Sequence, residues 1–273
     1  MNDKKISYLH GFSPEEQDRL CRQARFAEQI VYQDIHFSEG KKILEVGCGV
    51  GAQTEILLRR FPEIHITGID LNDQQLEAAK EKLKNNPLSK GRIDIKKMDA
   101  GQLEFDSGHF DGAFLCWVLE HVPDPAKVLG EVRRVIRPGG HIYVTEVMNH
   151  SFFLDPYSPN VWKYWMVFND FQYERAGDPF IGAKLGNLLT AQGYREVQTS
   201  VKTWHYDNRF PAKRKEQLDY WYELLMSGKD QLLAAGVIDE KTVKEAQREL
   251  KAVTANQNAV FFYSFIQAHA RVF

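Results

Sequence analysis

Four carboxylates and one imidazole stand where an apolar run gives way to a turn: Glu45, Asp70, Asp99, Glu146 and His121. In an open α/β sheet the carboxyl ends of the strands line the crevice in which ligands bind. Glu45 lies two residues before Gly47, in the run Glu45-Val46-Gly47-Cys48-Gly49-Val50-Gly51. Glycines at that spacing let the backbone turn sharply and let a ligand approach main-chain N–H groups. Asp70, closing the next apolar run, is placed to accept two hydrogen bonds from ribose hydroxyls. The first chemistry these residues can do is to hold a nucleoside. His121 is the first candidate for moving a proton, Glu146 the second, and His150 and His205 come after them.

The elements that must position these groups follow from the apolar pattern. Ile43, Leu44 and Val46 form a strand, Leu57 and Leu58 mark a helix, and Ile64, Ile66 and Ile69 form a second strand, a β-turn-α-β unit. Asn72 to Leu83 reads as a helix stopped by Asn85-Asn86-Pro87, followed by a third strand, Ile93 to Lys97, and a fourth, Phe110 to Cys116. The fourth is nearly all apolar, as a central parallel strand should be. Pro125 to Ile136 places Val128, Leu129, Val132, Val135 and Ile136 on one helical face, and Arg137-Pro138-Gly139-Gly140 turns into a fifth strand, His141 to Glu146. Upstream, Ser13-Pro14-Glu15-Glu16 is a helix start with apolar spacing continuing to about Ile35. Residues 147–179 follow no regular period and are crowded with aromatics. A helix through Ile181, Leu185, Leu188 and Leu189, a sixth strand, Arg195 to Val201, a mostly helical insertion over 203–256 and a strand from Ala259 to Ile266 complete the chain. This predicts a doubly wound α/β core, divided into an N-terminal cap (1–38), a core (39–146), an aromatic insertion (147–180) and the remainder of the core (181–273).

Gly47-Cys48-Gly49-Val50-Gly51-Ala52 also satisfies the dinucleotide pattern G-x-G-x-x-G/A, so the turn alone leaves the nucleoside open. The acid before it, Asp70, Met98-Asp99-Ala100, the string Trp117-Val118-Leu119-Glu120-His121-Val122-Pro123-Asp124 and Arg137-Pro138-Gly139-Gly140 come in an order that resembles the class I S-adenosylmethionine-dependent methyltransferases. The Trp117 string resembles the ubiquinone and menaquinone biosynthesis enzymes and their small-molecule relatives. The resemblance implies a seven-stranded Rossmann-like sheet whose seventh strand lies antiparallel between the fifth and sixth, with S-adenosyl-L-methionine as cofactor and a small molecule as methyl acceptor. It implies that Glu45 lies near the methionine end, that Asp70 binds the ribose, and that Asp99 and the Ala100 N–H hold the adenine. Tyr8, Gln23, Gly47, Cys48, Gly49, Leu71, Gln75, Cys116 and Trp117 are the other expected cofactor contacts. Trp117, His121, Glu146, Tyr157 and Trp162 are expected against the acceptor. The long separation of strands six and seven departs from the family, where a short hairpin is common.

Methyl transfer of this kind needs no metal and no covalent intermediate; the protein aligns the acceptor and excludes water. A base is needed only for an acceptor that is protonated at neutral pH, and His121 is either that base or a structural support. The aromatic insertion equally suits a substrate lid, a packing layer or a homodimer interface. With 273 residues, 43% of them hydrophobic, and a net charge of -2, the chain can bury a full core and lacks the clustered Lys and Arg that an extended nucleic-acid surface needs. Cys21, Cys48 and Cys116 are too few and scattered for a disulfide framework or a C-x-x-C site, which suits a cytoplasmic protein. No run approaches the ~18 apolar residues of a membrane span. Two alternatives stay beside the methyltransferase reading: an NAD-dependent oxidoreductase, and a protein that binds S-adenosylmethionine without turnover.

Overall fold

The computed structural model describes residues 10–37 and 41–273. The helices are α1 (Pro14–Val31), α2 (Ala52–Arg60), α3 (Asp73–Lys84), α4 (Pro125–Val135), α5 (Pro159–Glu174), α6 (Leu185–Ala191), α7 (Pro211–Ser227), α8 (Lys229–Ala234) and α9 (Glu240–Ala255). The strands are β1 (Lys42–Val46), β2 (His65–Asp70), β3 (Ile93–Lys97), β4 (Phe110–Cys116), β5 (Ile136–Val147), β6 (Phe153–Asp155), β7 (Arg195–Tyr206) and β8 (Val260–Arg271). Helix starts follow the residues that mark them. Ser13 caps α1 by accepting from the Glu16 amide at 3.3 Å, with Pro14 at the first position. Asn72 and Asp124 cap α3 and α4 in the same way, at 3.0 and 2.9 Å. Each such cap satisfies an amide that the helix leaves without a partner and contributes about 1 kcal/mol.

One sheet holds the molecule together, in the order β3-β2-β1-β4-β5-β8-β6, with β7 also paired to β8. The first five strands are parallel. β8 runs antiparallel to β5 on one side, Val147 facing Phe265, and to β7 on the other, Tyr206 facing Phe261. The expected antiparallel strand between the fifth and sixth family strands is therefore β8, between β5 and β7. The sheet has an eighth strand, because three residues of the aromatic insertion, Phe153–Asp155, pair with Val260–Phe262 and prolong the β5 edge. Leu44, Ile43, Phe114, Leu115, Ile142 and Val144 are fully buried between the helical layers, which is why the parallel strands read as unbroken apolar runs.

Several boundaries depart from the sequence reading. The first helix stops at Val31, short of Ile35, and the fifth strand begins at Ile136 because Arg137 to Gly140 bulges within the strand. β7 continues to Tyr206, so the helical insertion starts after it. Residues 147–179, expected to be irregular, contain the sixteen-residue helix α5. That helix buries Val161, Tyr164, Trp165, Phe168 and Phe171 and packs against α7 and α9, and its exposed stripe carries the apolar Met166 and Tyr173, so the helical period is blurred.

Candidate functional site

The crevice over the carboxyl ends of β1, β2 and β4 is organised by the turn after β1. Gly47, Gly49 and Gly51 have φ of 68°, 49° and 71°, the left-handed region that only glycine enters without strain. A Cβ on Gly47 would stand 2.6 Å from Val118 Cγ2, whereas one on Gly49 would meet nothing within 4 Å. The turn is packed from below and open above. Asp70 faces it: its Oδ2 accepts from the Gly49 amide at 3.0 Å and its Oδ1 from the Asn72 amide at 2.9 Å. Burial raises its pKa against these hydrogen bonds. Leu71 beside it is 57% exposed. Asp99 is exposed after β3 and accepts from the Gly101 amide at 2.7 Å, with Ala100 half-buried. Gln75 is buried at the start of α3, and its Oε1 has no hydrogen-bond partner.

Glu45 is 2% exposed and accepts from Thr54 Oγ1 at 2.6 Å. Burial pushes its pKa up to about 8, and the Asp70 charge adds to the effect. Cys48 is buried in the turn, while Cys116, at the end of β4, is half-buried and meets Gln53 Nε2 at 3.6 Å. Trp117 follows with φ of 56°, a conformation that costs a non-glycine residue about 1–3 kcal/mol unless its surroundings over-determine it. They do. The Trp117 amide donates to Thr145 O at 2.8 Å, and the next two amides, Val118 and Leu119, donate to Glu146 Oε1 at 2.9 and 2.7 Å.

That pairing corrects the expectation for Glu146. The residue is fully buried, and burial together with the Glu120 charge pushes its carboxyl up to about 8. It lies beneath the loop after β4, off the cavity wall, so it is built to hold Trp117 in place.

A cavity of about 80 Å³ lies between α1, the loop after β4, the end of β5, α5, β7, α7 and β8. Gln23, Trp117 and His121, all singled out from sequence, line it. Tyr157 and Trp162 do not. Tyr157 is 74% exposed, and Trp162 packs its ring 5.9 Å from Phe152; α5 presents Trp165 and Phe168 to the cavity instead. His150 stacks on Phe180 at the surface and His205 is exposed, so neither reaches the cavity. Tyr8 lies outside the described residues.

Sequence reasoning missed Trp204 on β7, Tyr220 and Trp221 on α7 and Tyr263 on β8, which close the far wall. Arg19, Glu120 and Asn149 were missed as well. Arg19 is chelated by Glu16 at 2.7 and 2.6 Å and donates to Tyr220 Oη at 2.5 Å. Asn149 accepts from Tyr263 Oη at 2.7 Å and donates to Asn169 Oδ1 at 2.6 Å. The only available signal was the aromatic content of the two insertions, which marks apolar faces without saying which rings converge.

Residues 44–144 match the model of a family described as the methyltransferase domain. The chain is 28% identical over 163 residues to the O-methyltransferase rstn1 of Aspergillus nomiae, covering 59% of this chain and 69% of that one. It is 34% identical over 110 residues to a ubiquinone biosynthesis O-methyltransferase of Pseudomonas aeruginosa, covering 40% of this chain and 45% of the other. Among solved structures, phosphoethanolamine N-methyltransferase 2 of Haemonchus contortus superposes with a TM-score of 0.57 at 19% identity, over 91% of this chain and 53% of that one. The chain spans less than half of the Pseudomonas protein and about half of the Haemonchus one. Over residues 44–144 the chain matches a methyltransferase domain, which favours S-adenosylmethionine over a dinucleotide as the ligand of the glycine turn.

Proposed function

We propose that this protein transfers a methyl group from S-adenosyl-L-methionine to a small-molecule acceptor held in the aromatic cavity. The observation that carries the reading is the juxtaposition of a left-handed glycine turn, open above Gly49, faced by the Asp70 carboxylate and packed against Val118, with an aromatic cavity lined by the neighbouring Trp117 and His121. When bound, the cofactor supplies a methyl carbon activated by its sulfonium. Asp70 accepts the ribose hydroxyls, Glu45 faces the cationic methionine end, Asp99 and the Ala100 amide hold the adenine, and Leu71 covers its face. Trp117, fixed by Glu146, forms the wall between the two sites. The aromatic rings exclude water from the transfer, and His121 takes the acceptor's proton where there is one. O- and N-methyltransferases among the relatives support methyl transfer without choosing the acceptor atom. Cys21, Cys48 and Cys116, all free thiols, suit a reducing cytoplasm.

The test is calorimetric titration with S-adenosylhomocysteine and with NADH, followed by incubation with methyl-labelled cofactor and a cell extract. Saturable S-adenosylhomocysteine binding that is lost in Asp70→Ala, together with a labelled low-mass product, supports the reading. NADH binding without S-adenosylhomocysteine binding ends it. Tight binding with no labelled product from any extract leaves a cofactor-binding protein without turnover.

A further inference from the structure

Glu120 lies on the cavity wall and is 8% exposed. Its Oε2 accepts from Gln172 Nε2 at 3.0 Å. Among the described residues its one ion-pair contact is His121 Nε2, at 3.6 Å from Oε1, beyond hydrogen-bond length and charged only when the ring is protonated. The other charged group on the wall, Arg19, is already neutralised by the bidentate contact with Glu16. Burial raises the pKa of Glu146, Cys116, Tyr220 and Tyr263, and the Glu120 charge adds to each shift. A buried carboxylate with no fixed cation beside it is half of an ion pair, and leaving it so is costly.

The rest of the wall is made of rings. Trp204 packs 6.4 Å from Trp117 and 6.0 Å from Tyr263, and Trp221 lies 4.7 Å from Tyr263. Aromatic faces carry the negative pole of the ring quadrupole, so several rings converging on one space attract a cation and repel an anion. Carboxylate and rings have the same preference. The space, about 80 Å³, admits a small group.

We propose that the cavity selects a small aliphatic amine as methyl acceptor, its ammonium form held by Glu120 and by the rings of Trp117 and Trp204. This rests on the methyltransferase reading and deepens it by naming the acceptor class. Before transfer the ammonium gives one proton to the His121 imidazole. The freed nitrogen lone pair then forms the bond to the methyl carbon as the carbon–sulfur bond breaks, its electron pair remaining on sulfur. The product is the methylated ammonium, still a cation and still suited to the cage.

The probe is tetramethylammonium chloride, titrated into protein saturated with S-adenosylhomocysteine and followed by tryptophan fluorescence, with tert-butanol as the neutral match of similar size. Saturable quenching by tetramethylammonium and none by tert-butanol is expected, weakened on the order of tenfold or more in Glu120→Gln and in Trp204→Leu. Retained S-adenosylhomocysteine affinity in each variant shows that it is folded. With labelled cofactor, small primary and secondary amines should be methylated on nitrogen and phenols left untouched. Equal response to the two probes, unchanged tetramethylammonium affinity in Glu120→Gln, or labelled phenol without labelled amine would each overturn the proposal while leaving cofactor binding intact. Should either variant fail to fold, the wild-type comparison of the two probes decides alone. Absence of S-adenosylhomocysteine binding at the outset brings down the methyltransferase reading and this proposal with it.

Discussion

The two sides of the crevice are built by different rules. On the side proposed to hold the cofactor, Gly47, Gly49, Asp70 and Asp99 belong to neighbouring strand ends, and the two carboxylates are each tied to a residue close in sequence or on the adjacent strand. Asp70 binds the amides of Gly49 and Asn72, and Asp99 that of Gly101. On the acceptor side, the wall is assembled from seven separate segments, and its polar members reach far along the chain: Arg19 to Tyr220, Asn149 to Tyr263, Gln172 to Glu120. A nucleoside presents the same groups to every protein that binds it, so its cradle is a compact local device. An acceptor pocket has no fixed ligand to satisfy and is made by packing whichever insertions lie above the sheet.

The sharpest way to break this contrast is at the joint between the sides. Glu146→Ala leaves the buried amides of Val118 and Leu119 without an acceptor, and should lower stability by about 2–5 kcal/mol, read as a fall in urea midpoint. Glu146→Gln keeps an oxygen for both and should recover most of the loss. If Ala is as stable as wild type, Glu146 does not hold the loop. Next in size, Asp70→Ala should weaken S-adenosylhomocysteine binding by about 2–3 kcal/mol, the worth of hydrogen bonds to a charged group. Trp204→Leu should leave that affinity within twofold. Equal losses in the two variants would show that the sides are not independent.

The buried acids give a pH signature confined to the cofactor side and the joint. Glu45 and Glu146 are both raised from 4.5 to about 8. The folded protein therefore holds protons that the unfolded chain has released. Their contribution to stability is full below pH 4.5 and is lost as pH rises to about 8. A cationic cofactor against Glu45 favours its carboxylate, so S-adenosylmethionine affinity should rise with pH up to about 8, by at most about tenfold per unit. Calorimetry in buffers of different ionisation enthalpy should then report proton release, abolished in Glu45→Gln. A heat that does not depend on buffer rules out the linkage. The smallest effect is expected at the edge of the acceptor side, where Ser13→Ala removes the cap of α1 and should lower stability by about 1 kcal/mol, measured by thermal melting, with no change in cofactor affinity.

The same division explains what could be read from the residues alone. The glycine turn and the acids at strand ends were legible because each demand, a left-handed φ or a carboxylate at a strand terminus, is met by one residue at one position. The antiparallel strand between β5 and β7 was anticipated too, but through the family resemblance: its apolar run reads as a strand without saying where it pairs. The acceptor wall was not legible. Tyr157 and Trp162 look as suitable as Trp165 and Phe168 until the phase of α5 is known, and that phase is blurred because its exposed stripe carries Met166 and Tyr173 beside Lys163 and Asp170. Glu120 and Glu146 are both acids beside apolar runs, and only the fold shows that one faces the cavity while the other lies beneath a loop.

Among the described residues β6 and β7 each find a hydrogen-bonding neighbour only in β8. During synthesis on the ribosome both must wait with bare edges until residues 260–271 have been made, while β1 to β5 can already pair among themselves. Such edges are templates for wrong association, so in the nascent protein the strands around the glycine turn can form while the C-terminal strands are still open to chaperones, proteases and aggregation. Cleavage of a fragment ending at residue 259 should fall within 153–227 and spare 42–135.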